Sequence, residues 1–182
     1  MPTPIFMARP GPLPTVPPAP EGAAVRPATP ADRPALARLL TEAFDDATWD
    51  EERVDRELLA NADVPRTWVV ASADEATSSL LATASELVLP GKYGDAGCVH
   101  WVATGLAARG RGLGAVAVLA CLTGFAERGL TSAVLNTDDG RPAAVRVYLQ
   151  LGFVPVTRDD AETAAWSALL PTVLSGRSGS PA

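Results

Sequence analysis

The 182-residue sequence predicts a single α/β domain: a mixed central β-sheet, antiparallel in its first half, with helices on both faces. Three observations carry that expectation. In the second half, short apolar runs alternate with helical patterns, whereas the first half reads as strands joined by polar turns. Residues 112–128 are apolar nearly all round, with charge only at Glu127 and Arg128, as in a helix buried between a sheet and other elements. Finally, Val102–Ala115 leads a strand through a loop of three glycines and two arginines straight into that helix.

Residues 1–24 are crowded with proline and hold almost no periodic apolar signal, so they read as a disordered, polyproline-like leader. The domain then covers 25–174, and 175–182, rich in Gly and Ser, form a flexible tail. Val25–Ala28 is the first strand. Thr29 and Pro30 supply a helix entry, as N-cap and first helical residue, and Leu36, Leu39, Leu40, Ala43 and Phe44 recur at helical spacing after it. A second helix over 51–60 turns Val54, Leu58 and Leu59 inward. Strands follow over 67–71 and 80–89, joined by a polar turn at Asp74-Glu75, and 90–96 is a loop before the fourth strand, 98–103. Gly129 ends the long helix, 132–136 is the fifth strand, and the helix over 141–151 closes at Gly152 with Phe153 folding back onto it. A last helix covers 161–174, with Trp166, Leu169 and Leu170 inward.

The balance of 21 acidic against 15 basic residues gives a net charge of −6, which disfavours partners such as nucleic acid or an anionic membrane surface. No apolar run reaches the roughly 18 residues of a membrane helix; the longest helix-like stretch carries Thr123 and Gly124 inside it. Cys98 and Cys121 both lie in apolar segments, which argues against a disulfide framework or metal site and fits a reducing cytoplasm. The N-terminus has no basic segment leading into an apolar one, so it does not read as a secretion signal.

The glycine loop carries the chemistry. Glycines let backbone N–H groups approach a ligand closely, a helix start adds partial positive charge, and arginines add full charge. The loop is therefore a receptacle for a phosphorylated cofactor. Gly110-Arg111-Gly112-Leu113-Gly114-Ala115 formally satisfies the dinucleotide motif, with Asp138 following near the position of the ribose-binding acid. Against that reading, Thr104–Arg109 separate the strand from the first glycine, and there is little chain for a second βαβ half. A nicotinamide enzyme stays as a competing class.

Arg109-x-x-Gly112-x-Gly114 resembles the Q/R-x-x-G-x-G/A motif of the GNAT superfamily of acyl-CoA N-acyltransferases. Val25–Asp32 is similar to that family's opening strand and helix, and Ala144-x-x-x-Tyr148-Leu149-x-Leu151-Gly152-Phe153 to its A-x-x-x-Y-x-x-L-G-F block. The resemblance covers about residues 24–156. It implies a GNAT-like sheet splayed between the fourth and fifth strands, with the pantetheine arm of acetyl-CoA, the acyl donor, inserted there. It also implies that the loop amides of Arg109, Gly110, Arg111, Gly112, Leu113, Gly114 and Ala115 hold the pyrophosphate, with Arg111 free to reach a phosphate. Val102 and Ala103 would hold the thioester through their backbone. Arg141 stands where family members commonly carry a cofactor-contacting asparagine, seven residues before the tyrosine.

By the same resemblance Tyr148 lies beside the thioester sulfur and donates a proton to it, as a phenol can; packing beneath the sheet is the competing role. His100, the only histidine, sits on the strand from which family members often draw their general base, and an imidazole can accept a proton near neutral pH. A buried structural histidine, or a water chain as base, stands beside that role. Strand alternation puts Cys98, His100 and Val102 on one face and Val99, Trp101 and Ala103 on the other. Asp45, Asp46 and Trp49 near the first two helices, together with Asp138, are the expected contacts to a cationic acceptor; helix capping is the competing role for Asp138 or its neighbour Asp139. The expected activity is acetyl transfer from acetyl-CoA to a primary amine, of a small molecule, by direct attack in a ternary complex of a monomer or homodimer. A peptide or protein amine as acceptor, or a non-catalytic acyl-CoA-binding module, are the alternatives.

Overall fold

In the computed structural model the described residues are 2–13, 21–74 and 79–175. The chain opens on a strand, β1 (Pro4–Arg9), within the stretch expected to lack structure. Ile5 and Met7 are fully buried and alternate with half-buried Phe6 and Ala8. That two-residue period was hidden by the surrounding prolines, which mark the ends of the strand rather than its absence. Residues 14–20 of the expected leader and 176–182 of the expected tail lie outside the described residues, as do 75–78 of the polar turn.

The elements that follow β1 run β2 (Ala23–Pro27), α1 (Arg33–Phe44), α2 (Glu51–Val54), β3 (Arg66–Ser72), β4 (Leu80–Leu87), β5 (Ala96–Thr104), α3 (Leu113–Glu127), β6 (Ser132–Asp138), α4 (Pro142–Gln150), β7 (Val154–Val156) and α5 (Asp160–Ser175). The described residues group into two compact units, one within Gly11–Ala133 and the other within Met1–Pro10 and Val134–Ala182.

In the first unit β2, β3, β4 and β5 pair in chain order, each antiparallel to the next, as the meander reading expects. Helix α1 begins after one tight turn, Pro30–Asp32. The Asp32 carboxylate accepts from the Thr29 N–H at 2.7 Å and hydroxyl at 2.9 Å, and from both terminal nitrogens of Arg26 at 2.7 and 2.6 Å. One buried acid thus ties the end of β2 to the start of the first helix. Leu36, Leu39, Leu40, Trp49, Val54 and Leu58 then pack with Val69 and Ala103 on one face of the sheet. Beyond α2 the chain continues over Asp55–Leu59 as a wide π-type turn.

The opposite face carries α3, whose Leu113, Ala117, Cys121, Leu122 and Phe125 are buried. Its approach to the sheet is close enough that a Cβ on Gly97 of β5 would fall 2.4 Å from the Phe125 ring. Near the far end of α3 lies Glu86, wholly buried. Its carboxylate accepts from the Trp68 indole N–H at 2.7 Å and the Arg128 Nε at 3.0 Å, with the Arg66 Nε 3.8 Å away. Gly124 is where α3 clears it: a Cβ there would lie 1.8 Å from Glu86 Oε1.

In the second unit β1 lies between β6 and β7, antiparallel to β7 with Met7 opposite Pro155. Sequence reading missed β7, three residues with a proline at their centre, too short for periodicity to register. Helix α4 ends with Gly152 at φ +85°, the left-handed conformation the expected cap requires, and Phe153 returns its N–H to the Tyr148 carbonyl at 3.0 Å. Along α5 the buried apolar positions are Ala165, Trp166, Leu169 and Val173; Leu170, expected inward, is only half-buried.

Candidate active site

Strand β5 departs from ideal alternation at Trp101, whose φ of +47° is rare for a residue with a large side chain. Thr83 pairs with Ala103 but Ser85 pairs with His100, so β5 carries one residue more than β4 across this span. That is a β-bulge, and it bends the strand. Thr83 and Ser85 share a face, so His100 and Ala103 do too. The expectation that Trp101 lies opposite His100 is therefore corrected. Trp101 packs at 4.7 Å from the Trp49 ring and 5.8 Å from Phe44, with the His100 ring 4.5 Å from its own.

His100 is half-buried. Burial lowers its pKa from 6.5; the Glu57 carboxylate works against that shift and the Lys92 ammonium adds to it. The imidazole is thus neutral at neutral pH, the form that can accept a proton. Burial also raises the Cys98 thiol to about 11, with Lys92 and a hydrogen bond from Tyr93 only partly offsetting it. Cys98 stays a thiol, without the lowered pKa of a nucleophile.

After β5 the chain makes a tight turn, Leu106–Ala108, and enters the glycine loop. Arg109, Gly110, Arg111 and Gly112 are all exposed. Gly112 holds φ +74° and serves as N-cap of α3, accepting the Val116 N–H at 3.2 Å. At such a helix start the first N–H groups, here those of Leu113, Gly114 and Ala115, have no acceptor inside the helix. A Cβ on Gly114 would meet Thr104 Oγ1 at 2.9 Å, so the absence of a side chain lets the helix start sit against the end of β5. Val102 is half-buried and Ala103 buried beside it. Exposed backbone donors, an N-terminal helix dipole and two arginines together fit a diphosphate.

The expected acceptor contacts in the link between α1 and α2 have local partners. Asp45 closes α1 in a left-handed conformation at φ 52°. Asp46 accepts from the Thr48 N–H at 3.0 Å and hydroxyl at 2.7 Å and from Arg53 at 2.9 Å, and these bonds hold its carboxyl below the usual range. Trp49 is 3% exposed, with the Arg53 guanidinium 4.1 Å over its ring, so it belongs to the core rather than to a surface a substrate could touch.

Asp138, Arg141 and Tyr148 belong to the second unit. Arg141 Nε lies 3.0 Å from the Asp138 carboxylate, which also accepts the Gly140 N–H at 3.1 Å. Asp138 therefore organises the turn before α4; it does not cap that helix, whose N-cap is Arg141 with no side-chain capping bond. Asp139 accepts the Thr3 N–H at 2.8 Å and so anchors the start of β1. Tyr148 is buried, 6.0 Å from the Phe153 ring. Burial raises its hydroxyl to about 12; Arg141 opposes the shift and Asp138 adds to it. Sequence reading did not single out Trp101 or Glu57. The bulge leaves no mark in a single sequence, and Glu57 reads as one more acid on a polar helix face.

The strand, glycine–arginine loop and helix start together define an acetyltransferase domain. Residues 24–156 match the family model described as an acetyltransferase (GNAT) domain, and the chain belongs to that family. Mycothiol acetyltransferase of Nocardia farcinica is 44% identical over 68 residues, which are 37% of this chain and 22% of that enzyme. A GCN5-related N-acetyltransferase from Sphaerobacter thermophilus shares the fold at a TM-score of 0.67 and 21% identity, over 84% of this chain and 48% of that one. The ribosomal-protein-S18-alanine N-acetyltransferase of Escherichia coli does so at 0.61 and 18% identity, over 74% and 79%. The chain thus spans well under two thirds of the mycothiol enzyme and of the Sphaerobacter protein. No helix among the described residues is long and apolar enough to cross a membrane.

Proposed function

We propose that the chain transfers an acetyl group from acetyl-CoA to a primary amine of a small molecule, by direct attack in a ternary complex. The observation that carries this reading is the continuous run from bulged β5, with neutral His100, into the exposed loop Arg109–Gly112 at the start of α3. The partial match to mycothiol acetyltransferase supports a small-molecule acceptor.

When bound, acetyl-CoA supplies an activated thioester. The N–H groups from Arg109 to Ala115 hold its diphosphate, Arg111 adds charge at the rim, and Arg141 contacts the arm. The backbone of Val102 and Ala103 orients the thioester carbonyl. His100, or a water it orders, takes a proton from the amine, whose nitrogen then bonds to the carbonyl carbon. As the C–S bond breaks, Tyr148 gives its proton to the departing sulfur and regains one from solvent, while His100 releases the one it took. A phenol at about 12 is a weaker acid than a thiol in water. Tyr148 can act as donor because negative charge building on sulfur is itself desolvated, which raises the proton affinity of that sulfur.

The test is a free-thiol assay with acetyl-CoA across polyamines, amino acids, aminoglycosides and short peptides, paired with calorimetry of coenzyme A binding. Amine-dependent thiol release supports the reading. Tight coenzyme binding with no release for any amine replaces it with a binding module; turnover confined to peptides moves the acceptor to a polypeptide terminus.

A further inference from the structure

Among the described residues other than glycine, only Asp45 and Trp101 hold a positive φ, and Asp45 closes α1. A residue with a Cβ is strained there, and such strain persists only where its surroundings over-determine it, most often at functional sites. The surroundings of Trp101 do so. Its indole meets the Trp49 ring edge-on at 4.7 Å and the Phe44 ring at 5.8 Å. Trp49 is covered in turn by the Arg53 guanidinium at 4.1 Å, which is bonded to Asp46 at 2.9 Å. The strain yields a contact that a regular strand does not make. Consecutive side chains of a strand point to opposite faces, so the rings of residues 100 and 101 would lie on either side of the sheet. At the bulge they lie together, with centroids 4.5 Å apart and planes at 47°. The imidazole is therefore backed by an indole that α1 and the link to α2 hold in place.

We propose that Trp101 is a positioning residue for His100: the strained bulge sets an indole wall that holds the imidazole in one orientation and keeps water off the side it covers. This rests on the acyltransferase reading above and deepens it. A base held in one orientation takes the amine proton from a fixed place, and a base that wanders loses rate without any loss of cofactor binding. The charged groups that act on the ring come from other elements. Glu57 in the turn after α2 and Lys92 in the loop before β5 oppose each other, and Arg53 lies 5.8 Å from the Trp101 ring. Burial outweighs both Glu57 and Lys92, and the indole is a large apolar group in contact with the imidazole.

The chain has a single histidine, so ring-proton NMR titration reads His100 alone. The full-length wild type is compared with Trp101→Gly, which removes the ring and relieves the backbone, and with Trp101→Phe, which keeps an aromatic wall. Trp101→Leu, with apolar bulk but no flat ring, takes the place of the glycine variant if that one does not fold. Far-UV circular dichroism and calorimetry of coenzyme A binding check each protein. In Trp101→Gly, His100 should titrate at higher pH, closer to the ordinary 6.5, because water reaches the ring. Its kcat should fall about 10- to 100-fold, with coenzyme affinity within about twofold, and the acidic limb of the pH profile should move in step with the NMR titration. Trp101→Leu should lose kcat likewise, and Trp101→Phe should stay within about threefold of wild type. A folded Trp101→Gly or Trp101→Leu that keeps the wild-type kcat and His100 titration overturns the proposal. Equal losses in Trp101→Phe and the ringless variant also overturn it, since they would trace the effect to core packing. If the wild type acetylates no amine, the acyltransferase reading falls by itself. The NMR titration then still decides whether Trp101 governs the imidazole, and an unmoved His100 sinks this proposal separately.

Discussion

Gly124→Ala probes how tightly the buried face of α3 is fitted to the sheet. An alanine in a helix interior ordinarily gains about 1 kcal/mol over glycine. Here the new methyl would sit 1.8 Å from Glu86 Oε1, so the carboxylate must move. Glu86 is wholly buried and held by the Trp68 indole at 2.7 Å and Arg128 at 3.0 Å, so it cannot swing aside freely. Breaking those bonds around a buried charge costs about 3 kcal/mol, already discounted because the Arg128 side chain is 37% exposed. The net loss is therefore about 2 kcal/mol, which lowers Tm by roughly 4–8 °C for a chain of this length. Differential scanning calorimetry at pH 7 reads it directly. A Tm that stays put or rises would mean that the helix slides or Glu86 re-seats at no cost, and the tight fit described for this end of α3 would be wrong.

Three further outcomes follow from the site and its supports. Tyr148→Phe should lower kcat by about 10- to 100-fold while leaving the calorimetric affinity for acetyl-CoA within about twofold; unchanged kcat removes Tyr148 from the reaction. His100→Ala should cost roughly 100-fold in kcat/KM and abolish the acidic limb of the pH profile, which in the wild type lies below 6.5 because burial lowers this pKa; an unaltered limb assigns proton removal to water. Asp32, held at about 2 by its bonds to Arg26 and Thr29 against an ordinary 3.8, stabilises the fold fully above pH 4 and loses that contribution as pH falls through about 2. Asp32→Asn should therefore cost about 1–2 kcal/mol in urea denaturation at pH 7, the half-exposed Arg26 limiting the figure, with the gap to wild type closing toward pH 2; a gap that persists there would assign the stability to shape rather than charge.

Much of the fold could be read from the residues because local pattern and final environment agree. Helix α3 announces itself by being apolar on every side, and it is covered accordingly, while Gly152 and Phe153 end α4 as their residue types require. The glycine loop was legible for the same reason: positive φ at Gly110 and Gly112 is what glycine in a tight backbone approach to a ligand provides. What escaped is what depends on pairing. Strand β1 owes its order to β6 and β7, which lie more than a hundred residues away in sequence, and β7 is too short to be seen without β1. The Trp101 bulge is a mismatch in residue count between β4 and β5, and neither strand records it alone. Asp46 and Trp49 look open to a substrate in the sequence because nothing there shows that Arg53 folds back over both.

The position of β1 bears on how the protein can be handled. The first ten residues look dispensable on paper, yet they supply the middle strand of a three-strand set, with Arg9 Nε bonded to the Leu151 carbonyl at 2.8 Å. Trimming them would strip β6 and β7 of their shared neighbour and bare two ladders of unpaired N–H and C=O groups at once. A shortened recombinant product would then be expected to form oligomers edge to edge, and a purification tag is better carried at the other terminus.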